Sequence, residues 1–396
     1  MKVCFETFGC RLNKAEALQM EADYLDRGWT VTEKHSDADL IVVRGCSVTA
    51  RAQRDCEGLI AHLRRHYPLK QLRVCGCIKD TSETTRRPLI PSSRLAQPPQ
   101  PPPHVPTRTA RAYLKVQDGC SGTCTFCIVP TFRGASSSED FTSVVDKAKR
   151  FVDAGYHEIV VTGCNLSLYA SQGKRLPDLL SALAELTADC RIRLGSLEPG
   201  PCALETVQAL AAHTNICRFL HVPIQSASRR ILQGMRRPYT PRDLDTLFEK
   251  IAELLPNLGL GCDLMTGFPG EDDLDFTATK GFLKRHAITN AHVFPYSERP
   301  GTVASGLPLV IPKSVRSARA HELSSLAGTK RLKFAKSFIG KEVEIVVEDE
   351  KKIVGWTGEY LRCEAVGIAP RKSLARIRVT KVKEDLLIGQ LVRDER

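Results

Sequence analysis

The pattern of apolar and polar positions divides the first 80 residues into short apolar runs and longer amphipathic stretches that alternate. Apolar runs of strand length occupy residues 2–8, 38–43 and 71–74, and helix-like stretches occupy 14–27 and 50–67. Strands that alternate with helices predict a parallel sheet, because each parallel connection needs an element that returns the chain. Residues 1–80 are therefore predicted to form a small parallel α/β domain.

A second alternation begins near residue 110. Strand then helix repeats about six times, which predicts a partial (β/α) barrel over residues 110–329. The strand candidates are Tyr113–Val116, Glu158–Thr162, Arg191–Leu197, Arg218–Val222, Leu258–Met265 and Asn290–Phe294.

Two further segments complete the predicted organisation. Residues 81–109 are polar and rich in proline, a composition that favours extended geometry and cannot pack a core, so we interpret them as a linker. Residues 330–396 contain short alternating strands with tight turns, which predict a small β-barrel. The predicted fold class is α/β: a partial barrel preceded by a small parallel α/β domain and followed by a small β-barrel.

Composition narrows the function classes. Fifteen cysteines form an odd number, and there is no secretory signal and no apolar run near about 18 residues, which argues against a disulfide scaffold or a membrane span. We therefore expect a cytoplasmic protein with reduced thiols. A formal charge of +12 makes a polyanionic partner plausible, since basic side chains placed on phosphates release condensed counterions.

Cys120, Cys124 and Cys127 form a C-x-x-x-C-x-x-C run after the strand-like stretch 112–117. Three thiolates on one short loop can hold three irons of a 4Fe–4S cluster and leave the fourth iron open to a ligand. An open metal position is typical of a site that activates a ligand rather than a structural site. The alternative interpretations are three neighbouring core cysteines or a zinc knuckle that lacks a ligand.

A second cysteine triad is predicted at the ends of the first three strands. Cys10, Cys46 and Cys77 each follow a glycine in a turn, and the carboxyl ends of parallel strands lie at one edge of a sheet. Cys75 competes with Cys77, but it falls inside the apolar strand. Single cysteines at strand ends are also often small buried apolar residues, and we assign the other nine cysteines to core filling or to surface thiols.

Polar residues and glycines follow the predicted barrel strands, at the face where barrels build their sites. Glu198 and Asp263 are candidates for ribose hydroxyls, and Gly267 and Gly270 would let backbone approach a ligand. Taken singly, each of these is equally consistent with a turn or a helix cap. The full set of candidate cofactor-binding residues is Phe126, Asn165, Glu198, Gln225, Asp263, Gly267 and Gly270.

The C-terminal segment is basic. Residues 330–396 contain 16 Lys plus Arg against 11 Asp plus Glu, and small basic barrels commonly bind nucleic acid. The predicted RNA-binding residues are Arg371, Lys372, Arg376 and Arg378, which would alternate along a strand. A solvated charged face is the alternative.

Together these motifs resemble the radical SAM methylthiotransferases, with their TRAM RNA-binding domain at the end. The resemblance covers nearly the whole chain. It rests on the runs Gly9-Cys-Arg-Leu-Asn13, Gly45-Cys-Ser-Val-Thr49, Gln117-Asp-Gly-Cys120, Arg191-Ile-Arg-Leu194, His221-Val-Pro-Ile-Gln-Ser226 and Gly267-Phe-Pro-Gly-Glu271. The first run is similar to the branch of the family that acts on threonylcarbamoyladenosine at position 37 of tRNA.

The resemblance implies two 4Fe–4S clusters and S-adenosylmethionine (SAM). The cluster on Cys120, Cys124 and Cys127 would cleave SAM to a radical, and Phe126 would pack on the adenine of SAM. The cluster on Cys10, Cys46 and Cys77 would carry the sulfur for insertion at carbon-2 of the adenine. The implied partners are tRNA and a reducing electron donor of flavodoxin or ferredoxin type, and we expect a monomer that does not bind membranes.

Three alternative functions stay open at this point: a methylthiotransferase acting on isopentenyladenosine tRNA or a ribosomal protein, a different radical SAM enzyme, and an iron–sulfur RNA-binding protein that has lost catalysis. Four departures from the family pattern bear on them. Only 42 residues separate Cys77 from Cys120, the run after Gly134 is Ala-Ser-Ser-Ser, Arg44 replaces the usual Asn, and Cys164 replaces a common Val.

Overall fold

The computed structural model describes residues 1–78, 105, 108–187, 189–349 and 351–392. Its first part is a parallel four-stranded sheet in the order β2-β1-β3-β4. The elements are β1 (Lys2–Thr7), α1 (Arg11–Asp26), β2 (Thr30–Val31), β3 (Leu40–Cys46), α2 (Ala50–His66) and β4 (Gln71–Cys77). Every residue of β3 is buried, as its continuous apolar run predicts for a central parallel strand.

The second part is an open barrel of six parallel strands. Three-stranded sheets of order β11-β8-β5 and β12-β13-β14 are joined by bridges from Ile192 to Ile216 and from Ser196 to His221. The barrel strands are β5 (Ala112–Lys115), β8 (Glu158–Thr162), β11 (Arg191–Leu194), β12 (Phe219–Gln225), β13 (Gly259–Thr266) and β14 (Asn290–Pro295). The mixed α/β fold with a partial barrel is thus confirmed.

Helices follow most of these strands and cover the outside of the barrel. They are α3 (Val129–Arg133), α4 (Phe141–Asp153), α5 (Leu176–Leu186), α6 (Pro201–Ala212), α7 (Arg229–Gly234), α8 (Pro241–Leu254), α9 (Asp273–Arg285) and α10 (Lys313–Lys336). Short strands β6 (Gln117–Asp118) with β7 (Ser137–Ser138), and β9 (Ala170–Ser171) with β10 (Lys174–Arg175), form two small antiparallel pairs. Outward side chains such as Ile159, Leu220 and Leu264 build the main core with the helices.

The C-terminal part is a five-stranded sheet in the order β15-β18-β19-β17-β16. Its strands are β15 (Glu342–Val346), β16 (Ile353–Trp356), β17 (Arg362–Val366), β18 (Leu374–Lys383) and β19 (Leu386–Leu391). The backbone N–H of Glu348 donates to the carbonyl of Val354 at 2.8 Å and so links the two outer strands. Ile345, Cys363 and Ile377 belong to its separate apolar core.

This sheet is fastened to the amino-terminal end of the barrel through buried charges. Glu158 has no exposed surface and accepts hydrogen bonds from Arg191 and Arg193. The same arginines donate to carbonyls of the turn after β16, with Arg193 Nη2 at 2.9 Å from Thr357 O. Burial raises the pKa of Glu158, but the adjacent guanidinium charges outweigh it and hold the pKa below the ordinary range.

The proline-rich linker predicted over 81–109 lies outside the described residues except at 105 and 108–109. In the part of the chain that the structure does describe, no helix combines the length and the apolar surface needed to cross a membrane.

Candidate functional site

The triad Cys120, Cys124 and Cys127 lies on the loop between β6 and α3, at the carboxyl end of β5. Gly122 stands inside this loop, and a methyl group placed there would lie 3.2 Å from the Cys120 sulfur and 3.9 Å from the Cys124 sulfur. Two thiols therefore converge on the space beside Gly122, where a methyl group would be in close contact with the Cys120 sulfur. The backbone N–H of Gly122 also donates to the Cys120 sulfur at 3.3 Å.

Arg237 supplies positive charge to this triad. Its Nη1 donates to the Cys124 sulfur at 3.1 Å, and its Nη2 pairs with Glu198. Burial raises the pKa of Cys127 to about 11, and the neighbouring Cys124 and Cys120 also act to raise it. A cationic metal is the usual way to hold such mutually repelling thiolates together, because metal binding displaces the thiol protons.

The second triad lies at the carboxyl edge of the first sheet. Cys46 and Cys77 stand opposite each other in the register of β3 and β4, and Cys10 directly precedes α1. The three cysteines act on one another electrostatically, since Cys10 and Cys77 both raise the pKa of Cys46, after burial itself. Gly9 has φ +88°, and a methyl group there would lie 2.8 Å from the Cys46 sulfur.

Cys75 occupies a different environment. Its sulfur accepts from Arg44 at 3.7 Å, on the face of the sheet where Arg44 also contacts Met20 and Glu16. Cys75 therefore stands apart from Cys10, Cys46 and Cys77. Arg44 itself, which departs from the usual Asn of the family, is committed to these contacts.

Asn13 explains the end of the first sequence run. It is fully buried, and its Nδ2 donates to the carbonyls of Phe8 at 2.8 Å and of Gly45 at 2.9 Å. These bonds connect the turn before Cys10 to the end of β3, next to Cys46. Asn13 of the run Gly9-Cys-Arg-Leu-Asn13 therefore holds the Cys10 turn against the strand that carries Cys46.

Arg133 joins the two triads. From the end of α3 its Nε donates to the Cys77 sulfur at 3.0 Å, its Nη2 to Asn13 Oδ1 at 2.7 Å and its Nη1 to Asp118 Oδ1 at 2.9 Å. Glu16 accepts from both Nη atoms at 3.1 Å. One guanidinium thus spans the sulfur edge of the first sheet and the loop of the first triad.

Asp118 is the acidic partner on the barrel side of this junction. Burial raises its pKa, but hydrogen bonds and charge from Lys115 and Arg133 outweigh burial and hold the pKa well below the ordinary range. Cys164 contacts the same carboxylate, with its sulfur 3.5 Å from Asp118 Oδ1, and burial raises the pKa of Cys164 to about 12. Cys164 therefore belongs to the junction between the triads.

Three of the predicted cofactor-binding residues bring unsatisfied or apolar surface to the carboxyl end of the barrel. Asn165 Oδ1 and Gln225 Oε1 are buried and have no hydrogen-bond partner among the described residues, and Asn165 Nδ2 lies 3.9 Å from the Cys120 sulfur. Gln225 adopts φ +66°, an unusual conformation for a non-glycine residue. Phe126 packs against the apolar cluster that contains Met235 and Phe268.

The other predicted cofactor-binding residues are engaged by the protein itself. Asp263 lies 3.2 Å from His221 Nε2 and 3.1 Å from His292 Nδ1, and Glu198 pairs with Arg237. The N–H of Gly267 donates to Glu271 at 2.7 Å, and the N–H of Gly270 donates to Leu309 O at 2.9 Å. A methyl group at Gly267 would lie 2.2 Å from Arg316 Cγ, so close packing requires this glycine.

The four basic residues predicted to bind RNA do not form one row. Arg371 and Lys372 lie in the turn before β18, where Arg371 donates to the carbonyls of Arg108 and Glu348, and the Lys372 ammonium lies 4.4 Å from the ring centre of Tyr156. Arg376 and Arg378 lie on the exposed face of β18. Their role in binding RNA stays a prediction.

Sequence reasoning missed Arg133 and Arg237 as site residues. Arg133 has one local signal, since it follows the first triad by six residues and precedes Gly134. Arg237 has none, because it lies 113 residues from the Cys124 that it contacts.

Comparison with protein families finds two matches. Residues 114–283 match the radical SAM superfamily, and residues 2–93 match a family described as uncharacterized protein family UPF0004. The first match contains the Cys120, Cys124 and Cys127 loop, and the second contains Cys10, Cys46 and Cys77.

Curated relatives span the whole chain. The chain is 30% identical over 436 residues to the threonylcarbamoyladenosine tRNA methylthiotransferase MtaB of Bacillus subtilis, covering 99% of this chain and 96% of the relative. It is 29% identical to the MtaB of Aquifex aeolicus, covering 95% and 100%. It is also 30% identical to the tRNA-2-methylthio-N(6)-dimethylallyladenosine synthase of Bartonella bacilliformis, covering 98% and 96%.

Among solved structures, the radical S-adenosylmethionine methyltransferase TsrM from Kitasatospora setae is similar with a TM-score of 0.53 and 14% identity, covering 77% of this chain and 74% of that one. At this identity the likeness concerns the fold alone. The full-length similarity to enzymes of one chemistry, together with the match of the barrel loop, leads to one conclusion: the chain belongs to the radical SAM methylthiotransferase family.

Proposed function

We propose that this chain converts threonylcarbamoyladenosine at position 37 of tRNA into its 2-methylthio derivative. Membership of the family implies a 4Fe–4S cluster, SAM and a tRNA substrate. The main support for sulfur-transfer chemistry is the presence of two three-cysteine sites, which Arg133 connects. The choice of nucleoside is supported by the MtaB relatives and by the run Gly9-Cys-Arg-Leu-Asn13.

The described residues fit two iron–sulfur clusters with three protein ligands each. We assign Cys120, Cys124 and Cys127 to one and Cys10, Cys46 and Cys77 to the other. When bound, the first cluster supplies reductive cleavage of SAM, and the second supplies the sulfur that is transferred. Glycine at 9 and at 122 leaves the space beside the sulfurs that such a group needs.

The protein's own residues place positive charge beside the cluster ligands and position SAM. Arg237 donates to the Cys124 sulfur and Arg133 donates to the Cys77 sulfur, so each places a positive charge beside a proposed cluster ligand. The unpaired amide oxygens of Asn165 and Gln225 offer hydrogen-bond acceptors to the amino and hydroxyl groups of SAM, and Phe126 offers a ring for the adenine. Glu198 lies on the far side of Arg237, where it orients the guanidinium toward sulfur.

The partners belong to the same proposal. The basic C-terminal sheet would act as a TRAM-like platform for tRNA, an electron donor of flavodoxin or ferredoxin type would reduce the clusters, and the enzyme would work as a cytoplasmic monomer. Proposed boundaries are 1–80 for the first domain, 110–329 for the barrel and 330–396 for the platform.

A second nucleoside has support of its own, because relatives named for dimethylallyladenosine are as much as 30% identical over nearly the whole chain. Mass spectrometry of tRNA nucleosides from a deletion strain separates the two. Loss of 2-methylthio-threonylcarbamoyladenosine, restored by the wild-type gene and not by Cys124→Ala, is the expected result. If the deletion strain instead loses the 2-methylthio derivative of dimethylallyladenosine, dimethylallyladenosine is the substrate. If its tRNA nucleosides are unchanged, the protein does not modify tRNA.

A further inference from the structure

Arg299 lies in the loop between β14 and α10, where the barrel meets the first sheet. Its Nη1 donates to the side-chain oxygen of Gln53 on α2 at 2.6 Å. Two residues earlier, the hydroxyl of Ser297 accepts from the backbone N–H of Ala50, the first residue of α2, at 3.3 Å. The loop therefore holds Arg299 against the start of α2.

The opposite edge of this guanidinium has no partner within the described part of the chain. Arg299 is only 6% exposed, and none of the described residues forms a hydrogen bond with its buried Nε and Nη2. These two N–H groups point in parallel from one edge of the planar group, and such an edge matches two oxygens of a carboxylate or a phosphate. Because buried donors are nearly always satisfied in folded proteins, a whole unsatisfied edge indicates a ligand.

Arg299 also lacks a carboxylate in direct contact among the described residues. Among the residues that the structure describes, no carboxylate forms an ion pair with it, and the groups that act on its charge are Cys46, Arg54 and Glu57. Burial lowers the pKa of Arg299, which means that the folded protein holds this cation at a cost. An anion bound at the free edge would offset that cost.

We propose that the Nε–Nη2 edge of Arg299 binds an oxyanion of the tRNA substrate, beside the second triad. The inference rests on the proposed function, since it takes tRNA as the substrate. Two groups of that tRNA have the required chemistry: the carboxylate of the threonylcarbamoyl group and a backbone phosphate near the target adenosine. A dimethylallyl group carries neither charge nor oxygen, so a carboxylate at Arg299 would distinguish the two nucleosides.

The site lies close below the surface. Val48, two residues after Cys46, is 44% exposed, and Val303, four residues after Arg299, is 52% exposed. The segments 47–49 and 297–302 are loops rather than helix or strand. The residues that flank Arg299 and Cys46 in sequence therefore lie in loops, outside the sheet and the barrel strands.

Binding of two synthetic anticodon stem–loops to the full chain with reconstituted clusters tests the proposal. One RNA carries threonylcarbamoyladenosine at the target position, and the other carries unmodified adenosine. Fluorescence anisotropy at fixed salt gives the affinity of wild type, Arg299→Gln, Arg299→Lys and Arg51→Gln. Arg51→Gln is the matched control, because it removes one exposed charge from α2, the helix that Arg299 contacts through Gln53.

Arg299→Gln should weaken binding by about tenfold or more, since charge-assisted hydrogen bonds contribute differences of that size. Arg299→Lys should recover only part, because an ammonium cannot bond two oxygens side by side. A loss confined to the modified RNA assigns the carboxylate, and an equal loss for both RNAs assigns a phosphate. If both Arg299 variants bind both RNAs as Arg51→Gln does, the proposal is wrong.

Two further measurements keep the result interpretable. The melting temperature and iron content of each variant show whether fold and clusters are retained, and Arg299→Lys serves if Arg299→Gln does not fold. Methylthiolation of the modified RNA by the wild-type protein reports separately on the proposed function. If that activity is absent while Arg299→Gln still weakens binding, the proposed reaction fails and the oxyanion site stands.

Discussion

Guanidinium groups contact or approach the cysteine sites from three segments of the barrel. Arg237 donates to Cys124, Arg133 donates to Cys77, and Arg299 lies within electrostatic range of Cys46. Sites built from thiolates accumulate negative charge, and arginine is the cation that stays charged when buried. The sequence shows the sulfur ligands, whereas the charges that balance them come from elsewhere in the chain.

Arg133 gives a prediction at this scale. Arg133→Gln removes one of the two cations that Glu16 and Asp118 share, because Lys115 also contacts both carboxylates. Loss of a charged hydrogen-bond partner in such a buried network typically costs about 1–3 kcal/mol. We expect a lower melting temperature and less iron retained by the second triad, measured by calorimetry and iron analysis. Arg51→Gln, at an exposed position, is the control. Unchanged iron content and melting temperature in Arg133→Gln would contradict the assigned role.

His292 gives a pH dependence. The hydrogen bond to Asp263 raises the pKa of His292 above its ordinary value, although burial opposes it. A raised folded-state pKa stabilises the fold fully below the unfolded pKa of about 6.5, and this contribution is lost as pH rises through the folded pKa. The difference in melting temperature between wild type and His292→Gln should therefore be larger at about pH 6 than at about pH 9. An equal difference at both pH values would show that the ion pair does not contribute; His62→Gln, on the exposed surface, is the control.

At the scale of elements, parallel strands determine which cysteines meet. The register of β3 with β4 pairs Gly45 with Gly76 and Cys46 with Cys77, so the two cysteines are direct neighbours at the carboxyl edge of the sheet. Cys75, paired with Arg44, lies in a different environment from Cys77 although only Gly76 separates them. Two cysteines separated by one glycine thus have different chemistry.

Iron counting tests this arrangement. A chain with two clusters holds about eight irons, so Cys77→Ala should fall toward about four, whereas Cys75→Ala should stay near about eight. Anaerobic reconstitution followed by iron analysis gives both numbers. The assignment fails if Cys75→Ala loses iron or if Cys77→Ala keeps its full content.

At the scale of the whole molecule, the three parts meet around one aromatic stack. Tyr360, in the turn before β17, stacks on Phe219 of the barrel at a centroid distance of 4.5 Å and on Trp356 at 4.5 Å. The guanidinium of Arg11, next to Cys10, lies 5.2 Å from the Tyr360 ring centre. The C-terminal sheet is thereby anchored to the barrel and to the first domain, so a tRNA bound on it would be held at a fixed distance from the triads.

The basic face of β18 gives the prediction at this scale. Replacing Arg376 and Arg378 by Gln should weaken binding to many tRNAs alike and reduce the slope of log affinity against log salt by about one unit for each phosphate that is no longer neutralised. Replacing Arg371 and Lys372 should instead lower the melting temperature, because these side chains contact the barrel side of the interface. Salt titrations of tRNA binding and calorimetry measure both. Unchanged tRNA affinity in the first pair would exclude this face as the platform.

The sequence by itself determined the class of fold and the six cysteines proposed as ligands. Alternation of apolar runs with amphipathic stretches depends on local periodicity, and the spacing of Cys120, Cys124 and Cys127 acts within one loop. The carboxyl ends of parallel strands also bring Cys10, Cys46 and Cys77 to one edge, which is a rule of topology, although Cys46 and Cys77 are the last residues of β3 and β4 and do not lie in turns as predicted. Each of these patterns can be recognised in the sequence without knowing how the domains pack.

Only the tertiary structure decided how the two triads are linked and where the basic residues lie. Arg133 reaches Cys77 across 56 positions of sequence, and Arg237 reaches Cys124 across 113. Arg371 and Lys372 were predicted to lie on one strand with Arg376 and Arg378, but β18 begins only at Leu374. Lys372 instead lies over Tyr156 of the barrel, and Arg371 donates to the carbonyls of Arg108 and Glu348. An arginine side chain can contact any group within its own length. Which groups lie within that length depends on how elements distant in sequence pack together, and sequence spacing does not encode that packing.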